Sequence, residues 1–124
     1  MLGDEKVAAS LVGMDLERAK RFYTEKLGLS VIREMPGWIL FGAGEGTAIL
    51  MYERLDGSKA EHTVAGFAID DLEAEMAALR AKGIEFEEYD LPDIKTVNGI
   101  AGRGDWKAAW FKDTEGNIIS LAQM

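Results

Sequence analysis

The spacing of hydrophobic and polar positions changes along the chain in the same order twice. Each copy begins with a strand-like run, continues with an acidic residue and apolar positions at helical spacing, and reaches a glycine where the predicted helix ends. The acidic residue and the glycine are 13 positions apart in both copies. The matching features are the runs 6–13 and 63–69, the acidic residues Asp15 and Asp70, and the glycines Gly28 and Gly83.

Short apolar runs punctuated by glycine follow each predicted helix, as is typical of β-strands. Each copy therefore predicts the order βαβββ, which gives eight strands and two helices. Asp15 and either Asp70 or Asp71 are the predicted N-caps, and Glu73 would complete a capping box with Asp70. The matching runs are 29–32, 38–41 and 46–50 in the first copy and 84–87, 108–111 and 116–120 in the second.

The second copy carries an insertion. Matching positions are offset by 55 residues before it and by 70 after it, so 70 − 55 leaves about 15 extra residues between Phe86 and Lys107. Segment 88–105 contains Pro92 and three glycines, which favour a surface loop in the position of a lid. Arg103 lies between two of these glycines and would suit an anion, but no helix follows as in a phosphate-binding loop. A surface loop is the favoured interpretation.

The polar turn 53–59 between the copies is too short to act as a domain linker. We expect a single domain, 1–124, with repeats that run from about 5 to 53 and from about 62 to 124. A helix covers only one face of each small sheet. The other face needs the second copy or a second chain as its partner.

Composition and charge exclude several classes of protein. The 14 basic and 22 acidic residues give a net charge of −8, the wrong sign for binding nucleic acid or an anionic membrane. Cysteine is absent, and His62 is the single histidine, so thiolate chemistry and sites with two imidazoles in one chain are excluded. Asp4 and Glu5 do not suit a signal peptide, and no apolar stretch approaches the roughly 18 residues of a membrane span. These features predict a soluble, cytoplasmic protein.

In its two βαβββ repeats and in several short motifs, the chain resembles the vicinal oxygen chelate superfamily, which contains glyoxalase, extradiol dioxygenases, and fosfomycin- and bleomycin-resistance proteins. The resemblance implies an α+β fold in which two βαβββ repeats form a curved mixed sheet around a cleft, with the helices on the outer face. Thr114 stands where the family usually has proline. The segments that carry the resemblance are DLERA at 15–19, FY at 22–23, LG at 27–28 and FKDTEGN at 111–117.

The resemblance also implies where a divalent metal would bind in the family's enzymes, through His or Glu on the first and last strand of each repeat. Those positions are Ala8, Leu50, Val64 and Ser120 here. Three of the four side chains cannot coordinate a metal, and a serine hydroxyl alone is a poor ligand. A small shift of the alignment at Leu50 would bring in Tyr52 or Glu53, but one carboxylate does not make a site. We therefore expect no metal and no cofactor.

Small residues at the inward positions, from Ala8 to Val12 and from Val64 to Ala68, would leave space that aromatic side chains can line. His62 is either an acid/base group or displaced ligand in the cleft or a polar residue at a strand entrance. Each tryptophan either faces a ligand or fills core or interface space. The candidate ligand-binding residues are Trp38, Tyr52, His62, Trp106, Trp110 and Ser120.

Three functional hypotheses follow. The favoured one is a metal-free binding protein that sequesters a small aromatic molecule, neutral or cationic, as the family's bleomycin-resistance members sequester a drug. The second is a glyoxalase-like lyase or isomerase with a non-standard site of Glu53, His62 and Ser120. The third is an interaction module with a vestigial cleft. We also expect a homodimer, with Trp38 and Phe41 as candidate contacts.

Overall fold

The computed structural model describes every residue, Met1–Met124. Its internal contacts divide the chain into two compact units. The first contains residues 1–59 and the short segment 114–116, and the second contains residues 60–113 and 117–124. Neither helix of the structure is long and apolar enough to span a membrane.

The first unit is one βαβββ repeat. Its four strands form a mixed sheet in the order β1-β4-β3-β2, in which β1 and β4 are parallel and the other neighbours are antiparallel. Single turns of 3₁₀-helix lie at Leu2–Asp4 and Gly44–Gly46. The elements are β1 (Ala9–Gly13), α1 (Leu16–Arg21), a π-helical segment (Phe22–Lys26), β2 (Ser30–Met35), β3 (Trp38–Gly42) and β4 (Ala48–Glu53).

The core of the first unit lies between its helix and one face of its sheet. The Asp15 carboxylate accepts a hydrogen bond from the Arg18 amide at 3.1 Å and so caps α1 as predicted. The helical stretch presents Tyr23, which is fully buried and stacks on Phe41 with ring centroids 5.1 Å apart. Phe41 is fully buried as well. The expectation that Phe41 forms a dimer contact is therefore wrong, since strand alternation turns it towards the helix.

The second unit repeats the arrangement. Its strands lie in the order β5-β8-β7-β6, again with a parallel pair, β5 and β8, beside antiparallel neighbours. The α+β prediction with two βαβββ repeats is confirmed. The elements are β5 (Thr63–Ala68), α2 (Leu72–Ala81), β6 (Ala101–Arg103), β7 (Trp106–Lys112) and β8 (Ile118–Gln123).

The sixth strand lies elsewhere than predicted. Segment 84–87 makes only a single bridge, between Phe86 and Phe111. The edge strand comes instead from Ala101–Arg103, inside the segment predicted as a surface loop. The two-residue turn Gly104–Asp105 doubles the chain back, so that Arg103 pairs directly with Trp106. This tight hairpin lets three residues take the sheet edge that the longer run was expected to occupy.

The cap of α2 is also more specific than predicted. Asp71, rather than Asp70, is the N-cap, and its carboxylate accepts a hydrogen bond from the Ala74 amide at 3.1 Å. Because the third residue after this cap is Ala74, the predicted capping box with Glu73 does not form. The Gln123 side chain accepts a hydrogen bond from the Leu72 amide at 2.8 Å and satisfies another free donor of the first turn.

Candidate functional site

The candidate site lies on the sheet face of the second unit that points away from α2. Lys107 of β7 forms an ion pair with Glu73 of α2 at 3.3 Å, so Lys107 and every second residue from it along β7 lie on the face towards the helix. The intervening residues, Trp106, Ala108 and Trp110, therefore line the opposite face. Their cross-strand partners place Ser120 and Ala122 of β8 on that same face.

Segment 88–100 covers part of this face. Tyr89 packs edge-on against Trp110, with ring centroids 5.6 Å apart. Ala101, Ala108 and Trp110 form a small buried cluster to which the segment contributes Tyr89 and Ile94. Burial, followed by the charge of Glu87, raises the pKa of the Tyr89 hydroxyl above its ordinary value. The inserted residues thus build a second small apolar core on the outer side of the sheet.

Local turns give the segment a defined shape. Val97 and Ile100 exchange two backbone hydrogen bonds around Asn98 and Gly99, both of which have positive φ, as in a type I′ hairpin turn. Further back, the Thr96 amide donates to the Tyr89 carbonyl at 2.9 Å. The Thr96 hydroxyl accepts from the Tyr89 amide at 2.8 Å. Segment 88–100 is therefore an ordered hairpin series rather than a plain surface loop.

A cavity of about 700 Å³ opens between this segment and the hairpin of β6 and β7. This volume lies within the usual range of small-molecule pockets. Trp106 is 38 % exposed and belongs to the cavity lining. The lining residues are Pro92, Asp93, Ile94, Lys95, Ala101, Gly102, Arg103 and Trp106.

The two sequence-predicted tryptophans of this unit differ in position. Trp106 lines the cavity, whereas Trp110 is only 8 % exposed and lies beneath Tyr89. The Trp110 indole N–H donates to the Thr63 hydroxyl at 3.1 Å, which satisfies its one polar group. Trp106 is therefore the tryptophan available to a ligand in the second unit.

Trp38 and Tyr52 belong to the first unit, where they are cross-strand partners on the sheet face opposite the core. Tyr52 is 41 % exposed, and the Arg33 guanidinium lies 5.9 Å from the Trp38 ring centroid. These two residues form an aromatic surface of their own on the first unit.

His62 and Ser120 are not brought together by a hydrogen bond. His62 is exposed and precedes β5, while Ser120 is half-buried on β8 opposite Gly66. Glu53 is exposed at the end of β4 in the first unit. None of the three side chains lines the cavity.

The residues present do not fit the divalent metal that the resemblance implied. Leu50 pairs with Ser10 across the sheet, and Ser120 pairs with Gly66, so no carboxylate or imidazole stands beside either position. A bulge between Thr63 and Ala65 leaves Val64 without a partner and sets Thr63 opposite Ile118. No group of three or more His, Asp or Glu side chains has the arrangement of a metal site.

The motif at 111–117 serves the structure. The Asp113 carboxylate accepts hydrogen bonds from the backbone amide and the side chain of Asn117, each at 2.8 Å, which closes the turn. Within the first unit, the fully buried Glu115 carboxylate accepts hydrogen bonds from the Met14 and Asp15 amides at 2.9 and 2.8 Å. Arg18 forms an ion pair with it at 2.9 Å.

The Glu115 carboxylate remains charged despite its burial. Burial alone would raise the pKa of Glu115, but the hydrogen bonds from Arg18, Thr114 and the Asp15 amide outweigh it and hold the pKa below its ordinary value. This carboxylate therefore anchors the start of α1 at neutral pH.

The sequence does not predict that Pro92, Ile94 and Lys95 line a cavity, because segment 88–105 is predicted to be a surface loop. The dipeptide Asn98-Gly99 is a strong hairpin signal and could have indicated an ordered segment. Arg103 was noticed, but only the pairing with Trp106 places it beside an aromatic ring.

The paired βαβββ units define an α+β protein with a repeated architecture. A family model described as the Glyoxalase/Bleomycin resistance protein/Dioxygenase superfamily matches residues 7–121, and the chain belongs to this superfamily. None of the curated proteins matches the sequence.

Solved structures share the fold at low sequence identity. One is lactoylglutathione lyase from Agrobacterium tumefaciens, at 19 % identity and TM-score 0.69, covering 97 % of this chain and 93 % of that one. Another is TnmS3, an antibiotic binding protein from Streptomyces sp. CB03234, at 22 % identity and TM-score 0.68, covering 97 % of each chain. A glyoxalase family protein from Bacillus anthracis has 18 % identity and TM-score 0.75, covering 97 % of this chain and 94 % of that one. These likenesses establish the fold.

Proposed function

We propose that the protein is a metal-free binding protein that sequesters a small aromatic molecule in the cavity of its second unit. The single observation that carries this proposal is the partly exposed Trp106 in the lining of a cavity of about 700 Å³. An accessible aromatic ring beside apolar side chains, with a small number of placed polar groups, is typical of small-molecule sites. TnmS3, described as an antibiotic binding protein, has the same fold, which supports a role of this class.

The geometry favours binding over catalysis. Ile94 and Pro92 supply apolar contacts opposite Trp106, whereas the groups that the lyase hypothesis requires, His62 and Ser120, do not line this cavity. A ligand that stacks on Trp106 gains about 0.5–1.5 kcal/mol beyond the burial of its area. The ordered hairpins of segment 88–100 hold the opposite wall in place, so little conformational entropy is lost on binding.

The test is equilibrium dialysis with 2-naphthalenemethanol, a neutral planar probe, followed by the quenching of tryptophan fluorescence. We expect saturable binding that Trp106→Ala weakens by about tenfold, which corresponds to about 1.4 kcal/mol. Trp38→Ala is the matched control, since it removes a partly exposed tryptophan from the first unit and leaves the cavity intact. Absence of saturable binding, or equal weakening by both variants, contradicts the proposed function.

We also propose that two copies associate through the sheet face of the first unit that carries Trp38 and Tyr52. Ile32 and Met35 lie on this face and are 58 % and 47 % exposed, so it leaves apolar area uncovered. Light scattering at micromolar concentration should give twice 13.6 kDa. Ile32→Glu should shift the protein to the monomer, while Leu55→Glu, an exposed apolar residue outside the strands, should not. A single 13.6 kDa species of the unmodified protein refutes the dimer.

A further inference from the structure

The cavity also carries information on the charge of its ligand. Resting on the proposed function, we propose that the ligand is an aromatic anion, a planar ring with a carboxylate or a similar acidic group, which stacks on Trp106 while Arg103 and Lys95 receive its negative charge. The juxtaposition that supports this is one partly exposed aromatic ring and two cations in the lining of one cavity.

Arg103 and Trp106 are held side by side by the backbone. They are direct partners across the hairpin of β6 and β7, and partners in an antiparallel pair project to the same face of the sheet. The turn between them is only two residues long, which fixes their backbone register. An acidic group on a ring stacked against Trp106 therefore lies within reach of the guanidinium, which binds carboxylates in a bidentate manner.

Lys95 supplies the second cation from the opposite wall. It follows Ile94 in segment 88–100 and lines the same cavity as Arg103. Neither side chain forms an ion pair, although the protein has 22 acidic residues. By contrast, Lys107, the next lysine along the chain, pairs with Glu73 at 3.3 Å. The two cavity cations are thus left with their charges available to a ligand.

The charged side chains that line the cavity have a net charge of the opposite sign to the protein as a whole. Asp93 is the one acidic side chain in the lining, so the two cations and one carboxylate leave a net charge of +1 in a protein of net charge −8. At physiological salt the Debye length is about 8 Å, so the groups lining the cavity outweigh distant surface carboxylates. An aromatic anion matches the two cations of the lining better than the neutral or cationic ligand expected from the composition.

The test compares three probes that share one ring: 2-naphthoate, 2-naphthalenemethanol and 2-naphthalenemethylammonium, by equilibrium dialysis at pH 7. We expect 2-naphthoate to bind about fivefold more tightly than the alcohol, from two exposed ion pairs, and the ammonium probe to bind most weakly. Raising the salt concentration from 20 to 500 mM should reduce the preference for 2-naphthoate, whereas binding of the alcohol should be unaffected. The reason is that the Debye length falls from roughly 20 Å to roughly 4 Å over this range.

Variants assign the preference to named side chains. Arg103→Gln should bring 2-naphthoate to within about twofold of the alcohol measured on the same variant, because the exposed ion pair is lost. Lys59→Gln makes the same change of charge at an exposed lysine outside the cavity and should have no effect. Asp93→Asn should strengthen the binding of 2-naphthoate.

The outcomes separate the two proposals. If the three probes bind equally, or the ammonium probe binds most tightly, the anion proposal is overturned while the proposed function stands. If Arg103→Gln and Lys59→Gln reduce the preference equally, the preference reflects only the net charge of the protein, and the proposed anion site is refuted. If none of the probes binds, both proposals fail.

Discussion

The two units share one topology but differ in what covers the outer face of the sheet, which is the face that points away from the helix. The strand orders β1-β4-β3-β2 and β5-β8-β7-β6 are equivalent, and the pairs Leu40–Leu50 and Trp110–Ser120 occupy the same place in each. In the first unit that face carries the exposed Tyr52. In the second unit the insertion covers it. About 15 residues of inserted chain thus convert an open aromatic surface into a small core with a cavity beside it.

The tryptophans of the two faces offer the largest expected contrast. Trp110→Ala removes a ring that is only 8 % exposed and should destabilise the protein by about 3–5 kcal/mol. Trp38→Ala removes a partly exposed ring and should cost less than half as much. Urea unfolding of both variants measures the two free energies. Equal losses would mean that the insertion does not create a core, and the comparison between the units would fail.

The turns before the last strand of each unit provide the second contrast. Glu45 and Glu115 occupy matching positions, at the offset of 70, yet Glu45 is exposed whereas Glu115 is buried. Glu115→Gln weakens charge-assisted hydrogen bonds to buried groups and should cost about 1.5–3 kcal/mol. Glu45→Gln, the matched control, should leave the free energy of unfolding unchanged.

The effect of Glu115 should depend on pH in a defined direction. Because its pKa is lowered on folding, its contribution is present above the ordinary value of 4.5 and is lost as the pH falls through the lower folded-state pKa. The difference between the unmodified protein and Glu115→Gln should therefore be constant near neutrality and shrink below about pH 4. A difference that stays constant down to pH 3 contradicts the assignment of a charged carboxylate.

The hairpin turns give the smallest contrast. Gly37 and Gly99 both have positive φ, but a methyl group at Gly37 would meet nothing within 4 Å, whereas at Gly99 it would lie 3.1 Å from the Phe86 Cβ and 3.2 Å from the Met76 Cε. Gly37→Ala should cost about 1 kcal/mol for the backbone alone. Gly99→Ala should cost about 1 kcal/mol more because of crowding. Thermal unfolding measures both losses of stability. Equal losses would show that segment 88–100 shifts to accommodate the methyl group without cost.

The repeats and the helices could be predicted because their signals are local. An aspartate N-cap, apolar positions at helical spacing and a final glycine lie within 14 residues of one another, and both copies show them. The error at the sixth strand has a different origin. Apolar and polar residues alternate in segment 84–87 as in a strand. The edge of the sheet is nevertheless formed by Ala101–Arg103, because two short turns fold the insertion back. Competition between segments for one edge is a tertiary effect.

The site was predictable only in part for the same reason. Trp106 was a candidate from the sequence, and the structure sets it in the cavity lining, but nothing local indicated that Pro92, Ile94 and Lys95 would face it. Trp110 had two interpretations at the sequence level, and its burial under Tyr89 follows from how the insertion folds. Pairings between residues far apart in sequence decide which aromatic ring meets solvent.

The edge strands have a consequence for aggregation. An open sheet edge can pair with the edge of another molecule, and proteins counter this with bulges and very short strands. Here β2 carries a bulge between Val31 and Arg33, β5 carries one between Thr63 and Ala65, and β6 has three residues. The irregular edges at β2, β5 and β6 disfavour fibre-like growth by strand addition at those three strands. The dimer proposed above uses side chains on a sheet face and does not need any of these edges.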